Sequence, residues 1–234
     1  MENRKKIALL IDYDNFSKEE YFPILKDELN EFGDVLVKYG FYSNFGDSTI
    51  KEKFIRLGIE PIAQIPYSNK KNASDIRMSI EAMDLLEKDF IDCFCLATND
   101  SDFTPLVIRL KKSNKYVVGA GNNLASENFI NACDAFISVE KIIESKEKKV
   151  NEKNQYNDLI KTIDSIIDSN KDEKGMAVFS AVIQSLKEKM KDFSPKNYGS
   201  TNKQVLPFFQ NALSNSYNIV SINTDYFISK KKRV

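Results

Sequence analysis

Ile7-Ala8-Leu9-Leu10-Ile11-Asp12-Tyr13-Asp14-Asn15 is an unbroken apolar run closed by two aspartates and an asparagine. A short apolar run that stops at acidic turn residues reads as a strand buried on both faces, the kind found in a parallel sheet covered by helices. Outward from it, strand-length apolar runs recur at Val35 to Tyr42, Ile59 to Ile65, Phe90 to Ala97 and Tyr116 to Gly119, with Ala135 to Val139 as the last. Amphipathic segments alternate with these runs, which predicts an α/β domain with a mainly parallel sheet. Between the third and fourth strands, Ile76, Ile80 and Met83 recur at helical spacing while Arg77, Glu81 and Asp84 fall on other faces, predicting an amphipathic helix over Ser74 to Lys88. The polar, aperiodic stretch before it, Pro66 to Ala73, reads as a surface loop.

The chain has 234 residues, 42% of them apolar, enough for one large domain or two modest ones, and it contains no histidine. Without imidazole there is no Ser-His-Asp triad, no Cys-His pair and no histidine-ligated zinc site. Cys93 and Cys95 lie two apart on one predicted strand and Cys133 stands alone, so they read as small buried residues and not as a disulfide or metal framework. No apolar stretch reaches transmembrane length and no secretion signal opens the chain, so the expectation is a cytoplasmic protein without a membrane partner.

The charged stretch Glu144 to Asn154 breaks the apolar pattern and is expected to link residues 1–143 to a second domain at 155–234. Residues 151–234 carry 13 Lys and Arg against 9 Asp and Glu, whereas the whole chain is neutral, so the first part is acidic and the second basic. Helical patterns at Tyr156 to Ser169, Ala177 to Met190 and Lys203 to Ser214 precede two short alternating runs, Tyr217 to Ile222 and Tyr226 to Ser229. Helices followed by a terminal hairpin describe a small winged-helix-like module.

Functional groups in open α/β sheets collect at the carboxyl ends of the strands, where strand order reverses. Asp12 and Asp100 each follow an apolar run, Asp102 opens the next helix, and Asp75 lies in the first turn of the Ser74 helix. Singly, each fits an ordinary helix cap. Gathered at one edge, they would repel one another unless a cation compensated, and Mg²⁺ or Mn²⁺ prefers such oxygen ligands. Asp14 is expected to act structurally beside them.

Four segments together resemble the NYN domain, a branch of the PIN-like nucleases that includes LabA-type proteins. They are Ile7 to Asn15, Ser74-Asp75-Ile76, Thr98-Asn99-Asp100-Ser101-Asp102-Phe103 and Ala132-Cys133-Asp134-Ala135-Phe136-Ile137. The resemblance implies a PIN-like, Rossmannoid three-layer α/β/α fold and a metal-dependent ribonuclease acting on RNA. By position, Asp12, Asp75, Asp100 and Asp102 would be catalytic and bind Mg²⁺ or Mn²⁺, with Asn15 as a polar helper. Asn99 stands where the family usually has glycine; asparagine tolerates positive φ better than most residues. In the second domain, Phe193-Ser194-Pro195-Lys196-Asn197-Tyr198-Gly199 resembles the turn of OST-HTH (LOTUS) domains, which implies RNA binding or docking to a protein partner. A homodimer is a further arrangement to be tested.

Lys70, Lys71, Arg77, Arg109 and Lys112 in the first domain, with Lys196, Tyr198 and Lys203 in the second, are the candidate RNA contacts. Two rival readings stand beside the nuclease. Ile11-Asp12-Tyr13-Asp14 is similar to the Asp-x-Asp pair of haloacid-dehalogenase-like phosphatases, with Asp12 as nucleophile, but Phe16 falls where that pattern wants Thr or Val. The other rival is a non-catalytic RNA-binding or scaffold protein.

Overall fold

A computed structural model describes residues 4–44, 46–65, 72–201 and 203–231, which divide into two compact units, Met1–Ser145 and Lys146–Val234. In the first unit the strands are β1 (Lys5–Asp12), β2 (Gly33–Tyr42), β3 (Glu60–Ala63), β4 (Cys93–Ala97), β5 (Tyr116–Gly121) and β6 (Ala135–Ser138). They form one parallel sheet in the order β3-β2-β1-β4-β5-β6. Strand order reverses between β1 and β4, which pair directly with Ile11 opposite Ala97.

Both faces of the sheet are covered, as the apolar runs require. Along β1, Ile7, Leu9 and Ile11 pack with Phe22, Leu25 and Leu29 of α1 (Tyr21–Phe32) and Phe54 of α2 (Ser48–Arg56). Ala8 and Leu10 face the other layer, against Met78 and Ala82 of α3 (Ala73–Leu86), Val107 and Leu110 of α4 (Thr104–Lys112) and Phe129 of α5 (Glu127–Ala132). The period of two therefore builds a three-layer α/β/α unit, and Asp12 continues the even-numbered row toward α3. Cys93 and Cys95 are buried and free.

The helix over α3 forms where its sequence predicts, but with a different face inward. Ser74, Met78, Ala82 and Leu85 are buried, whereas Ile76 and Ile80 are 62% and 50% exposed. The segment carries two apolar stripes at helical spacing, and small Ser74 and Ala82 allow the second to lie close against the sheet.

The stretch 144–154, expected as a linker, lies within the helix α6 (Val139–Asn170). Scarcity of apolar residues does not stop a helix rich in Glu and Lys, which are strong helix formers, and Glu144 and Lys148 stand at the favourable i, i+4 spacing. Later turns of α6 supply Leu159, Ile163, Ile166 and Ile167 to the core of the second unit. That unit adds β7 (Ala177–Val178), α7 (Phe179–Lys189), a 3-10 turn (Pro195–Tyr198), α8 (Val205–Asn211), β8 (Tyr217–Ile222) and β9 (Asp225–Lys230). Its small antiparallel sheet has the order β7-β9-β8. Asn223, at φ 57°, turns the β8–β9 hairpin in the left-handed conformation that two-residue hairpin loops need. Among the described residues, no helix is long and apolar enough to cross a membrane.

Candidate active site

Asp12 ends β1 at the reversal point and is 1% exposed. Its Oδ2 accepts hydrogen bonds from Thr98 Oγ1 at 2.7 Å and Asn15 Nδ2 at 2.8 Å. Its Oδ1 is buried with no hydrogen-bond partner. Burial pushes the Asp12 carboxyl up, the Thr98 and Asn15 hydrogen bonds pull it down, and the charge of Asp14 adds to the rise, which prevails.

The neighbouring carboxylates come from different elements. Asp75, in the first turn of α3, is pushed up to about 6, first by burial and then by the charges of Asp12, Asp100 and Asp14. Asp100 follows β4, and its Oδ1 accepts from the Asp102 amide at 2.8 Å, capping the 3-10 turn Ser101–Phe103. Thr98 Oγ1 accepts from the Asp100 amide at 3.0 Å, so one hydroxyl sets both Asp12 and the backbone that carries Asp100. Asp102 is exposed and lines a cleft together with Asp75. Asp14 accepts from Ser74 Oγ at 3.0 Å and from the Ser43 amide at 3.2 Å, fastening the start of α3 to the end of β2.

Asn99 does not adopt positive φ; among the described residues only Asn72, Asn114 and Asn223 do so outside glycine. Its side chain bridges two loops instead, donating to Asn15 O at 2.7 Å and accepting from the Asn122 amide at 2.8 Å. Gly121 leaves it room, since a Cβ there would stand 2.9 Å from Asn99 Oδ1. Thr98, Ser74 and Asn122 thus organise the site without having been singled out in the sequence. The cues for Thr98 and Ser74 were a hydroxyl placed beside a strand end or helix start and their place in two of the segments that resemble the NYN domain.

The cations expected beside the acids are elsewhere. Among the described residues, no Lys or Arg pairs with Asp12, Asp14, Asp75, Asp100 or Asp102. Arg77 pairs with Glu81 one turn along α3. Arg109 donates to Ser113, and it and exposed Lys112 occupy the last turn of α4, at the opposite edge of the sheet, because that helix runs back from the acids. Lys70 and Lys71 lie outside the described residues. In the second unit, Lys196 and Lys203 are exposed, whereas Tyr198 is half-buried, its ring 6.0 Å from that of Phe193 and 6.3 Å from that of Phe208. Packing takes up much of the aromatic face expected to be free.

A divalent ion suits this donor set in its chemistry. The set is all oxygen, its charges are uncompensated, and the bare Asp12 Oδ1 is a buried acceptor without a donor, an exception native proteins rarely leave unexplained. Among the described residues no three acidic or cysteine side chains stand close enough to hold an ion by themselves. Mg²⁺ keeps bound waters and takes one or two carboxylates together with substrate phosphate oxygens, so an ion there would need waters or substrate to complete its shell.

The chain is similar to "Uncharacterized protein MJ0482" of Methanocaldococcus jannaschii, at 29% identity over 121 residues. The match covers 50% of this chain and 47% of that protein, so the chain spans about half the length of this curated relative. A solved structure, "a protein of unknown function VPA0982" from Vibrio parahaemolyticus, is similar at 23% identity and a TM-score of 0.48, covering 59% of this chain and 95% of that one. The NYN domain family matches residues 6–143, which hold all of the parallel sheet but its first residue, Lys5, and every aspartate of the cluster. The chain belongs to the NYN domain family, within the PIN-like nuclease superfamily.

Proposed function

We propose that this chain is a ribonuclease that hydrolyses RNA phosphodiester bonds at the carboxyl edge of its parallel sheet with the help of Mg²⁺ or Mn²⁺. Asp12, Asp75, Asp100 and Asp102 would share the ion, directly or through its bound waters, and Asn15 would steady Asp12. The observation that carries this reading is the buried, partnerless Oδ1 of Asp12 at the point where strand order reverses. When bound, a hard divalent ion polarises phosphoryl oxygen and lowers the pKa of a coordinated water.

The chain's own groups prepare the site. Thr98 and Asn15 fix Oδ2 of Asp12 and so leave Oδ1 directed by default, without a competing donor. Asp14 and Ser74 hold the first turn of α3, and hence Asp75, in place. Asn99 ties the β1 and β5 loops on either side of the reversal point. With no histidine in the chain, hydrolysis balances through water alone: its oxygen stays on phosphorus and its proton reaches the leaving ribose oxygen. The second unit, through exposed Lys196 and Lys203, would bind RNA or a protein partner in the manner of an OST-HTH domain.

Asp100→Asn should abolish cleavage of single-stranded RNA in Mg²⁺ or Mn²⁺ while circular dichroism and the melting temperature stay near wild type. Equal cleavage by that variant, or by wild type in excess EDTA, would assign the activity to a contaminant. A non-catalytic RNA-binding role is favoured by one observation, the spacing of the acids too wide for three to close on one ion unaided. RNA binding without cleavage in either metal would select it. The phosphatase alternative is weakened because both oxygens of Asp14 accept from the Ser43 amide and Oδ2 also accepts from Ser74, leaving it poorly placed to serve as a free acid.

A further inference from the structure

The exposed stripe of α3 and the 3-10 turn after β4 enclose a cleft of about 500 Å³ that opens beside the acid cluster. Ile76, Ile80 and Met83 line it from the helix, and Phe103, itself 2% exposed, lines it from the turn. Asp75 and Asp102 belong to both the cleft and the acid cluster, so whatever occupies the cleft is continuous with whatever reacts there. Asp84 also lines it, and among the described residues no Lys or Arg does.

We propose that this cleft seats a guanine base of the RNA strand whose phosphate lies at Asp12, Asp75 and Asp100, an inference that rests on the ribonuclease reading above. Large aliphatic side chains 62% and 50% exposed on a helix beside a polar site are costly in water and suit the flat face of a base. Charge selects which part of a nucleotide enters. Among the described residues the charged groups of the lining are carboxylates, which accept hydrogen bonds from the N–H donors of a base. Guanine presents two adjacent donors, N1–H and the N2 amino group, which one carboxylate accepts together. On adenine and cytosine an acceptor sits beside the amino group, and on uracil acceptors flank the single N–H, so each would set a lone pair against the carboxylate. Asp84 lies nine residues beyond Asp75, about 13.5 Å along the helix axis, on the scale of one nucleotide from phosphate to base edge. Asp84 is therefore the acceptor for guanine, and Ile76, Ile80 and Met83 are its apolar wall.

Two measurements on the full chain separate this inference from the reading beneath it. The first is titration of wild type with GMP, AMP, CMP and UMP in Mg²⁺, followed by amide chemical shifts. GMP is expected to bind at least fivefold tighter than UMP and to shift α3 resonances, and Asp84→Asn, at an exposed position, is expected to erase that preference while UMP affinity holds. Equal affinities, or a preference that survives Asp84→Asn, would overturn the guanine site. The second is cleavage of uridine oligomers that contain a single A, C or G. Cutting concentrated next to G in wild type, and spread evenly in Asp84→Asn, supports the site. Even cutting by wild type overturns the site and leaves the ribonuclease intact. No cutting together with a GMP preference overturns the ribonuclease reading and leaves the cleft as a guanine nucleotide site.

Discussion

At the amino edge of the parallel sheet, Asp34 pairs with Arg4 at 2.9 Å and Asp134 pairs with Lys111 at 2.9 Å. At the carboxyl edge, Asp12, Asp14, Asp75 and Asp100 have neighbouring acids and hydroxyl or amide donors, and no cation among the described residues. The same residue type is thus shifted in opposite directions within one unit. Burial raises the Asp134 carboxyl, but hydrogen bonds from Lys111 and the Val117 amide outweigh it and hold the group below its ordinary value. At Asp75 burial and three like charges act together and push it up to about 6. A fold that pairs its acids at one edge can pair them at the other, so the unpaired edge stores unfavourable charge that a bound ion would relieve.

Replacing Asp75 by asparagine puts that contrast under the greatest strain. The folded-state pKa of Asp75 lies above the ordinary value of 3.8, so between the two the folded protein binds more protons than the unfolded chain. Its contribution is therefore least unfavourable below pH 4, and stability falls as pH rises through about 6. In EDTA at pH 8, Asp75→Asn should raise stability by about 2 kcal/mol and flatten the loss of melting temperature between acid and neutral pH. The same change should lower RNA cleavage by roughly 100-fold or more in Mn²⁺. Thermal melts across pH, read beside cleavage rates, check both. A variant less stable than wild type at pH 8 would mean that the carboxylate is compensated within the fold, and the contrast between the edges would fail.

Gly121→Ala sharpens the contrast from the side of geometry. The added Cβ would meet Asn99 Oδ1 at 2.9 Å and Phe136 and Ala125 at 3.0 Å, displacing the side chain that bridges the β1 and β5 loops. The expected cost is about 1–3 kcal/mol, as for other overpacked sites, with cleavage lowered about tenfold. Adding Asn99→Gly to Gly121→Ala should recover part of the stability but not the cleavage, because the bridge stays absent. A double-mutant cycle of denaturant midpoints and rates reads this coupling. Simple additivity would show that Asn99 and Gly121 act independently.

How much of this could be read from the residues follows from where the determining forces act. The strands were legible because β1 and β4 are continuous apolar runs, and the acidic residues that stop them mark the carboxyl edge. The inward face of α3 was not, since Ile76-Ile80-Met83 and Met78-Ala82-Leu85 are both apolar at helical spacing and only contact with the sheet decides between them. The helical form of the charged stretch 144–154 was not legible either, because a break in apolar pattern says where a core ends and not where a helix ends. At the site, the aspartates were visible by type and position. Their supports were not, since Thr98 to Asp12 and Ser74 to Asp14 join residues 86 and 60 positions apart. Arg109 and Lys112 are near Asp102 in sequence but one helix length away in space, because α4 carries the chain back to the paired edge.

Asp134→Asn tests that paired edge and should have the smallest effect of the three. The carboxylate accepts from Lys111 and from the Val117 amide at 2.8 Å, and its side chain is 26% exposed. Because its folded-state pKa is depressed, its contribution is present above the ordinary carboxylate value and is lost as pH falls through the folded one. An asparagine keeps an acceptor for the Val117 amide and forfeits only the charge on Lys111, so the loss at pH 7 should be about 1 kcal/mol or less. It should shrink further in high salt. RNA cleavage should be unchanged, since the residue immediately precedes β6, at the opposite edge of the sheet from Asp12. A drop in cleavage without a matching drop in stability would mean that the amino edge communicates with the acids across the sheet. Charge pairing there would then belong to the mechanism and not to the scaffold alone.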